Sequence, residues 1–271
     1  MPLTEHIGVE VLGLTSDDLK RTDVASELDE LLARHGVLVF RRIHVDDAAQ
    51  VAFSTKLGEV QKMPRAEGEF PEIFVVSLDP AKSSSAAYLK GTFFWHIDGA
   101  TDPVPNKATM LAAKAVAAEG GETEFCSTYV AYDTLPDATK QAIEGLRVLH
   151  SFEAAQLLAE PDASDATRAG WRQRAGREQP LVWTHQDGRR SLVLGATASH
   201  VVGWDAAPGD ALLAELHAWS VAEPRVYRHH WSVGDLVIWD NRGTMHRAVP
   251  YATDSPRVMH RTTIFGDEAF T

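Results

Sequence analysis

The chain has 271 residues, of which 44% are hydrophobic and 24% charged, so it can form a substantial globular core. Its formal charge of −12 argues against nucleic acid or an anionic membrane as the main partner, although a few buried arginines can still bind an anionic substrate. A single cysteine, Cys126, excludes an internal disulfide. With neither a signal-peptide pattern in the first ten residues nor an 18-residue apolar run, we expect a cytoplasmic protein.

The first half of the chain mixes helical and strand patterns. Hydrophobic periodicity and glycine positions predict a helix over 24–35, a strand over 37–40, a helix over 46–57, a strand over 73–78, a loop over 80–87, and strands over 109–116 and 123–126. Gly36 and Gly58 are well placed to end the two helices.

The second half is richer in strands. The predicted elements are helices over 129–135 and 136–145, a hairpin of 181–184 with 191–194, a helix over 210–221, and strands over 225–231, 235–239, 246–248 and 257–265. The polar segment 160–180 reads as an insertion or flap. Many short strands with flanking helices favour one mainly β domain over 1–271, a β-sandwich or jelly roll.

A candidate metal site comes from two distant segments. His96 and Asp98 are two residues apart, so on an extended strand both side chains project from one face. His246 lies 150 residues after His96, on another strand-rich segment. Two imidazoles and one carboxylate on one side of a metal form the facial triad of non-haem Fe(II) oxygenases, which leaves the opposite positions open. The pattern therefore predicts an iron site made of these three residues.

Several other reactive side chains are given structural interpretations. Adjacent His229 and His230 project to opposite faces of a strand, so both cannot bind one metal, and we assign them to core or surface. His185 is read as a hydrogen-bonding turn residue, and Cys126 as a small core hydrophobe without a basic partner. Trp239 is assigned to packing, with a role behind the last metal ligand left open.

Four motifs in order carry a family resemblance. They are Trp95-His96-x-Asp98, Gly120-Gly121-Glu122-Thr123, the run 234–242 (GDLVIWDNR) and the run 257–263 (RVMHRTT). Together they resemble the Fe(II)/2-oxoglutarate dioxygenases of the taurine dioxygenase and 2,4-dichlorophenoxyacetate dioxygenase family. The segments 198–203, 227–231 and 244–248 lean toward the phenoxyacetate side. The resemblance implies a double-stranded β-helix (a cupin-like jelly roll) with His96, Asp98 and His246 on Fe(II), and with 2-oxoglutarate and O₂ as co-substrates.

The resemblance also implies a pocket for 2-oxoglutarate. The family grips the distal carboxylate with an arginine 11 residues after the last metal ligand, which is Arg257 here, and with a hydroxyl from Thr123. A guanidinium suits this task because it pairs with a carboxylate through two hydrogen bonds. Arg261 is four residues further on and so on the same strand face as Arg257. We expect Arg261 either to bind an anionic group of the prime substrate or to complete the 2-oxoglutarate pocket.

Departures from the taurine enzymes bear on the prime substrate. This chain has Met63, Thr92 and Gly99 at positions where the resemblance places substrate contacts or space beside the metal. With Tyr88 and two phenylalanines nearby, these residues predict a small, partly aromatic organic acid, such as an aryloxyalkanoate, rather than taurine. The alternatives are an alkyl sulfate, a sulfonate or an amino-acid-derived metabolite.

Two other classes of protein remain as competing hypotheses. An inactive β-barrel that only binds small molecules would not need all four of His96, Asp98, His246 and Arg257, and a metal-assisted hydrolase would need neither Arg257 nor Thr123. We expect a small-molecule substrate, no nucleic-acid or membrane partner, and a homo-oligomer.

Overall fold

The computed structural model describes residues 1–62, 69–83, 86 and 88–271. The helices are α1 (Thr22–His35), α2 (Asp47–Leu57), α3 (Thr128–Asp133), α4 (Asp137–Ile143), α5 (Phe152–Ala159), α6 (Asp165–Arg172) and α7 (Ala206–Ser220). The strands are β1 (Val9–Glu10), β2 (Val37–Phe40), β3 (Phe74–Val76), β4 (Ala108–Ala115), β5 (Thr123–Ser127), β6 (Arg147–His150), β7 (Arg177–Pro180), β8 (Val182–Thr184), β9 (Arg190–Leu192), β10 (Ala198–Val201), β11 (Val226–His229), β12 (Leu236–Asp240), β13 (Thr244–Ala248) and β14 (Val258–Ile264).

The larger sheet has six strands in the order β1-β2-β12-β4-β14-β3. Side chains alternate between its two faces, as the pleat requires. One face packs Phe40, Met110 and Ile238 against the apolar sides of α1 and α2, where Leu32 and Phe53 are fully buried. These two helices therefore close the outside of the sheet and leave its other face for the interior.

The smaller facing sheet has three strands in the order β11-β5-β13. Its Phe125 and Tyr227 pack against Val237, Trp239 and Met259 of the larger sheet. Two mainly antiparallel layers joined in this way form the expected double-stranded β-helix, or jelly roll. The predicted fold class is confirmed, and the space between the two sheets is where the candidate site lies.

A further layer covers the outside of the smaller sheet. Cys126 and Met245 face this layer and pack with the β8–β9 hairpin, α3 and α7. The segment 160–180, which its polar composition predicts to be an insertion or flap, has secondary structure of its own. It contains α6 and β7, and β7 pairs with β6. Glu153 on α5 forms ion pairs with Arg168 and Arg172 of α6, and Trp171 of the same helix is buried.

Among the described residues, no helix combines the length and the apolar character needed to cross a bilayer.

Candidate active site

His96 and His246 face each other as backbone partners. The His96 N–H donates to the His246 carbonyl at 3.0 Å, and the His246 N–H donates to the His96 carbonyl at 2.9 Å. Directly opposed residues project their side chains to the same side, and the two ring centroids are 4.2 Å apart. The extended strand assumed for His96 and Asp98 is absent, and this isolated bridge is the only ladder contact of His96 among the described residues. The bridge brings the two imidazoles together.

Asp98 completes the cluster from the turn that follows. Its Oδ1 lies 3.7 Å from His96 Nε2, and its Oδ2 lies 3.8 Å from His246 Nε2. One candidate ligand atom from each of the three residues falls within 4.8 Å of the others. The predicted triad is thus brought together, with both Nε2 atoms directed at the carboxylate.

The charge states suit a divalent cation. Burial by itself raises the pKa of the Asp98 carboxyl, but charge interactions with His246 and Arg261 outweigh it and lower the pKa to about 2. Burial, reinforced by His96, lowers the pKa of His246 to about 3. The His96 Nδ1–H donates to the Phe94 carbonyl at 2.8 Å, which leaves Nε2 of a neutral ring without a proton. An ionised carboxylate beside neutral imidazoles is the donor set that Fe(II) takes.

A line of buried hydrogen bonds leads from Asp98 into the larger sheet. The Thr109 hydroxyl donates to Asp98 Oδ2 at 2.7 Å. Asn241 Nδ2 donates to Thr109 Oγ1 at 3.0 Å, and Trp239 Nε1 donates to Asn241 Oδ1 at 3.0 Å. Sequence reasoning missed Thr109 and Asn241. The signal available in the sequence was the single threonine in the otherwise apolar run at the start of β4.

Arg257 is buried without an acidic partner. It is 2% exposed, and among the described residues its guanidinium has only the Tyr251 hydroxyl, at 3.4 Å, as a hydrogen-bond partner. Burial lowers its pKa, although arginine stays protonated. A Cβ on Gly121 would lie 3.0 Å from Arg257 Cδ, so the second glycine of the Gly-Gly motif makes room for this side chain. Thr123 is also buried, and its Oγ1 accepts from the Trp231 indole.

Arg261 faces the metal cluster. Its charge lowers the pKa values of both Asp98 and His246. Its Nε is buried without a hydrogen-bond partner, and its guanidinium lies over the Phe74 ring, 4.7 Å from the centroid. No described carboxylate forms a salt bridge with either Arg257 or Arg261. Arg261 is therefore a cation beside the cluster, and Arg257 is a second buried cation without a salt bridge to a described carboxylate.

The predicted substrate residues occupy varied places. Tyr88 is 48% exposed and packs on Phe152. Thr92 donates its hydroxyl to the Leu89 carbonyl at 2.6 Å, inside a short 3₁₀ helix. Gly99 has φ +83°, and a Cβ there would lie 2.8 Å from the backbone nitrogen of residue 106, which accounts for the glycine without a substrate. Met63 lies outside the described residues.

The structural interpretations of the remaining residues are confirmed. Cys126 is fully buried, and His229 is buried between Tyr227 and Asp235 while His230 is exposed. The His185 side chain bonds Ser191 at 2.8 Å, and its backbone closes the β8–β9 turn.

Comparison with known proteins shows to which family this chain belongs. The sequence model described as "Taurine catabolism dioxygenase TauD, TfdA family" matches residues 1–263. The chain belongs to this family. An alpha-ketoglutarate-dependent 2,4-dichlorophenoxyacetate dioxygenase of Cupriavidus pinatubonensis is 36% identical over 96% of this chain and 94% of its own length. An alpha-ketoglutarate-dependent sulfate ester dioxygenase of Pseudomonas putida is 30% identical over 98% of this chain and 89% of its own length.

A solved structure gives the same result for the fold. The crystal structure of AAD-2 in complex with Mn(II) and N-oxalylglycine matches with a TM-score of 0.84 and 30% identity, covering 100% of this chain and 98% of that one. This TauD/TfdA-family chain is a 2-oxoglutarate-dependent non-haem iron dioxygenase. The resemblance drawn from the four motifs, including its lean toward the phenoxyacetate side, is confirmed.

Proposed function

We propose that His96, Asp98 and His246 hold Fe(II), that Arg257 and Thr123 bind the distal carboxylate of 2-oxoglutarate, and that Arg261 binds the anionic group of the prime substrate. The observation that carries the proposal is the triad within 4.8 Å together with Arg257, which is buried without an acidic partner. Leaving a buried charge unpaired is strongly unfavourable, so such a guanidinium calls for an anionic ligand.

The bound iron supplies oxidation of a substrate C–H by O₂, coupled to conversion of 2-oxoglutarate into succinate and CO₂. The chain's own residues perform the positioning. Arg257 fixes one end of the co-substrate, and the bridge between His96 and His246 fixes two metal ligands. Arg261 would orient the prime substrate so that one C–H faces the iron.

An aryloxyalkanoic acid fits the surroundings of Arg261. Its guanidinium adjoins the Phe74 ring, so a cation lies beside an aromatic surface, which matches a ligand with a carboxylate and an aryl group. Hydroxylation of the carbon that bears the ether oxygen gives a hemiacetal, which breaks its C–O bond. The 2,4-dichlorophenoxyacetate relative supports this substrate class, and the sulfate ester relative supports an alkyl sulfate as the alternative.

The test measures succinate formation and O₂ uptake with Fe(II) and 2-oxoglutarate. We expect aryloxyalkanoates to stimulate O₂ uptake more than alkyl sulfates, sulfonates or amino acids, and Asp98→Ala to abolish turnover. Asp254→Ala, which alters an exposed carboxylate, serves as the matched control and should retain it. Equal slow turnover in wild type and Asp98→Ala would contradict the site. If only alkyl sulfates stimulate O₂ uptake, the substrate class is alkyl sulfates and not aryloxyalkanoates. Self-association and a cytoplasmic location stay predictions from the sequence.

A further inference from the structure

The hydrogen bonds that run from Trp239 through Asn241 and Thr109 to Asp98 allow only one assignment of donors and acceptors. An indole nitrogen donates and never accepts, so the atom of Asn241 that lies 3.0 Å from Trp239 Nε1 must be the amide oxygen. The amide nitrogen of Asn241 is thereby turned toward Thr109, and it too can only donate. Trp239 thus fixes which way round the buried amide lies.

This orientation also fixes the Thr109 hydroxyl. Because Thr109 Oγ1 accepts from Asn241, its single proton is available for the Asp98 carboxylate, whose Oδ2 lies 2.7 Å away. Asp98 Oδ1 receives no hydrogen bond from any described side chain or backbone amide. The two carboxylate oxygens therefore differ: Oδ2 accepts a hydrogen bond from Thr109, and Oδ1 accepts none from the described residues.

The pairing register of β12 and β4 in the larger sheet brings these side chains together. Trp239 on β12 and Thr109 on β4 are directly paired and project to the inner face. Asn241 follows the end of β12, and its own backbone N–H donates to the Lys107 carbonyl at 3.0 Å. All three side chains are almost fully buried, so water does not compete for these hydrogen bonds.

We propose that Thr109, Asn241 and Trp239 are positioning residues that hold the Asp98 carboxylate in the rotamer that brings it to His96 and His246. The inference rests on the proposed role of Asp98 as a ligand. Asp98 needs such support because it lies in a turn, whereas His96 and His246 are aligned by their own backbone bridge. Hydrogen bonds to a ligating carboxylate keep it in place and tune its basicity.

The test is an anaerobic titration of the metal-stripped protein with Co(II), followed by visible absorption. Loss of a partner hydrogen-bonded to a metal ligand typically lowers affinity about 10- to 100-fold, and we expect Thr109→Val to fall in this range. Thr109→Ser keeps the hydroxyl and should restore most of the affinity. Trp239→Phe, which keeps a ring but loses the indole N–H, should show a smaller loss than Thr109→Val.

Thr262→Val provides the matched control. Thr262 is a fully buried threonine on the neighbouring strand β14, and its hydroxyl bonds Ser54 at 2.7 Å on the far face of the sheet. Urea unfolding of all variants separates stability from metal binding. Wild-type affinity in Thr109→Val or Trp239→Phe, or an equal loss in Thr262→Val, would overturn the inference. If the wild type itself fails to bind Co(II), the proposed metal site fails instead.

Discussion

At the scale of single residues, Arg257 and Arg261 look alike in the sequence but lie in different surroundings. Both are arginines on one segment, four positions apart, and both lack an acidic partner among the described residues. Arg257 is enclosed beside Tyr251 and the Gly-Gly turn, while the charge of Arg261 reaches the metal cluster. Their different surroundings lead to different expected ligands.

We predict that Arg257→Gln raises the KM for 2-oxoglutarate by at least about 30-fold, because truncating a buried charge pair costs about 2–5 kcal/mol. Arg257→Lys should be intermediate, since an ammonium cannot reproduce the two-pronged contact. The measurement is succinate formation at varied 2-oxoglutarate.

Arg261→Gln is the companion variant. It should leave the KM for 2-oxoglutarate near the wild-type value and weaken stimulation by the organic acid. A larger 2-oxoglutarate defect in Arg261→Gln than in Arg257→Gln would reverse the two assignments.

At the scale of elements, the segment between β9 and β10 supports the first metal ligand from behind. Gly195 has φ +109°, and a Cβ on it would lie 2.7 Å from the Trp95 carbonyl oxygen and 2.9 Å from His96 Cα. The Ala196 N–H also donates to the Trp95 carbonyl at 2.7 Å. The position of His96 therefore depends on a glycine about 100 residues further along the chain.

We predict that Gly195→Ala weakens Co(II) binding as well as lowering the free energy of unfolding, because the new methyl group displaces the backbone at His96. Gly188→Ala is a matched control: it also has a positive φ, +85°, but meets nothing within 4 Å. It should cost only about 1–2 kcal/mol of backbone strain and leave the metal affinity unchanged. Equal metal affinities in the two variants, measured beside urea unfolding, would contradict the prediction.

The elements also show which parts of the fold the sequence could predict. The strands β2 and β12 were recognisable because nearly continuous apolar runs bury both faces. The strands β6 and β7 were not, because their stability comes from pairing with each other across 30 residues rather than from their own composition. His96 and Asp98 were found although the strand assumed for them is a single bridge and a turn, since their spacing, His246 and the family motifs together identified them.

The positioning residues show a limit of a different kind. Thr109 and Asn241 are 132 positions apart, and their hydrogen bond depends on the register between β4 and β12. No local pattern encodes a register between distant strands.

At the scale of the whole molecule, buried neutral histidines tie stability to pH. Burial lowers the pKa of His150 to about 4, and its Nδ1 bonds the Thr197 hydroxyl at 2.8 Å. An unfolded histidine titrates near 6.5, so between pH 6.5 and 4 the unfolded chain binds a proton that the folded chain does not. Stability therefore falls as the pH is lowered through this window.

We predict that His150→Gln lowers the slope of the unfolding free energy against pH by up to about 1.4 kcal/mol per pH unit, which corresponds to one proton. The protein is first treated with chelator to remove bound metal. Urea unfolding at several pH values measures the slope. Above pH 7.5, where the proton no longer contributes, the wild-type and variant curves should run parallel. An unchanged slope between pH 4.5 and 6 would contradict the assignment of His150 as a buried neutral group.

The bridge between His96 and His246 has a consequence for how the catalytic centre comes into being. Its two partners are separated by 150 residues, so closing it carries a loop-closure entropy cost that the contacts of the rest of the jelly roll must offset. Neither half of the polypeptide carries all three proposed ligands, so with this assignment iron would bind fully only to a chain in which residues 96 and 246 have been brought together. A metal that binds the folded state alone stabilises that state by mass action. Such an ion would raise the stability of the completed fold and would not nucleate its folding.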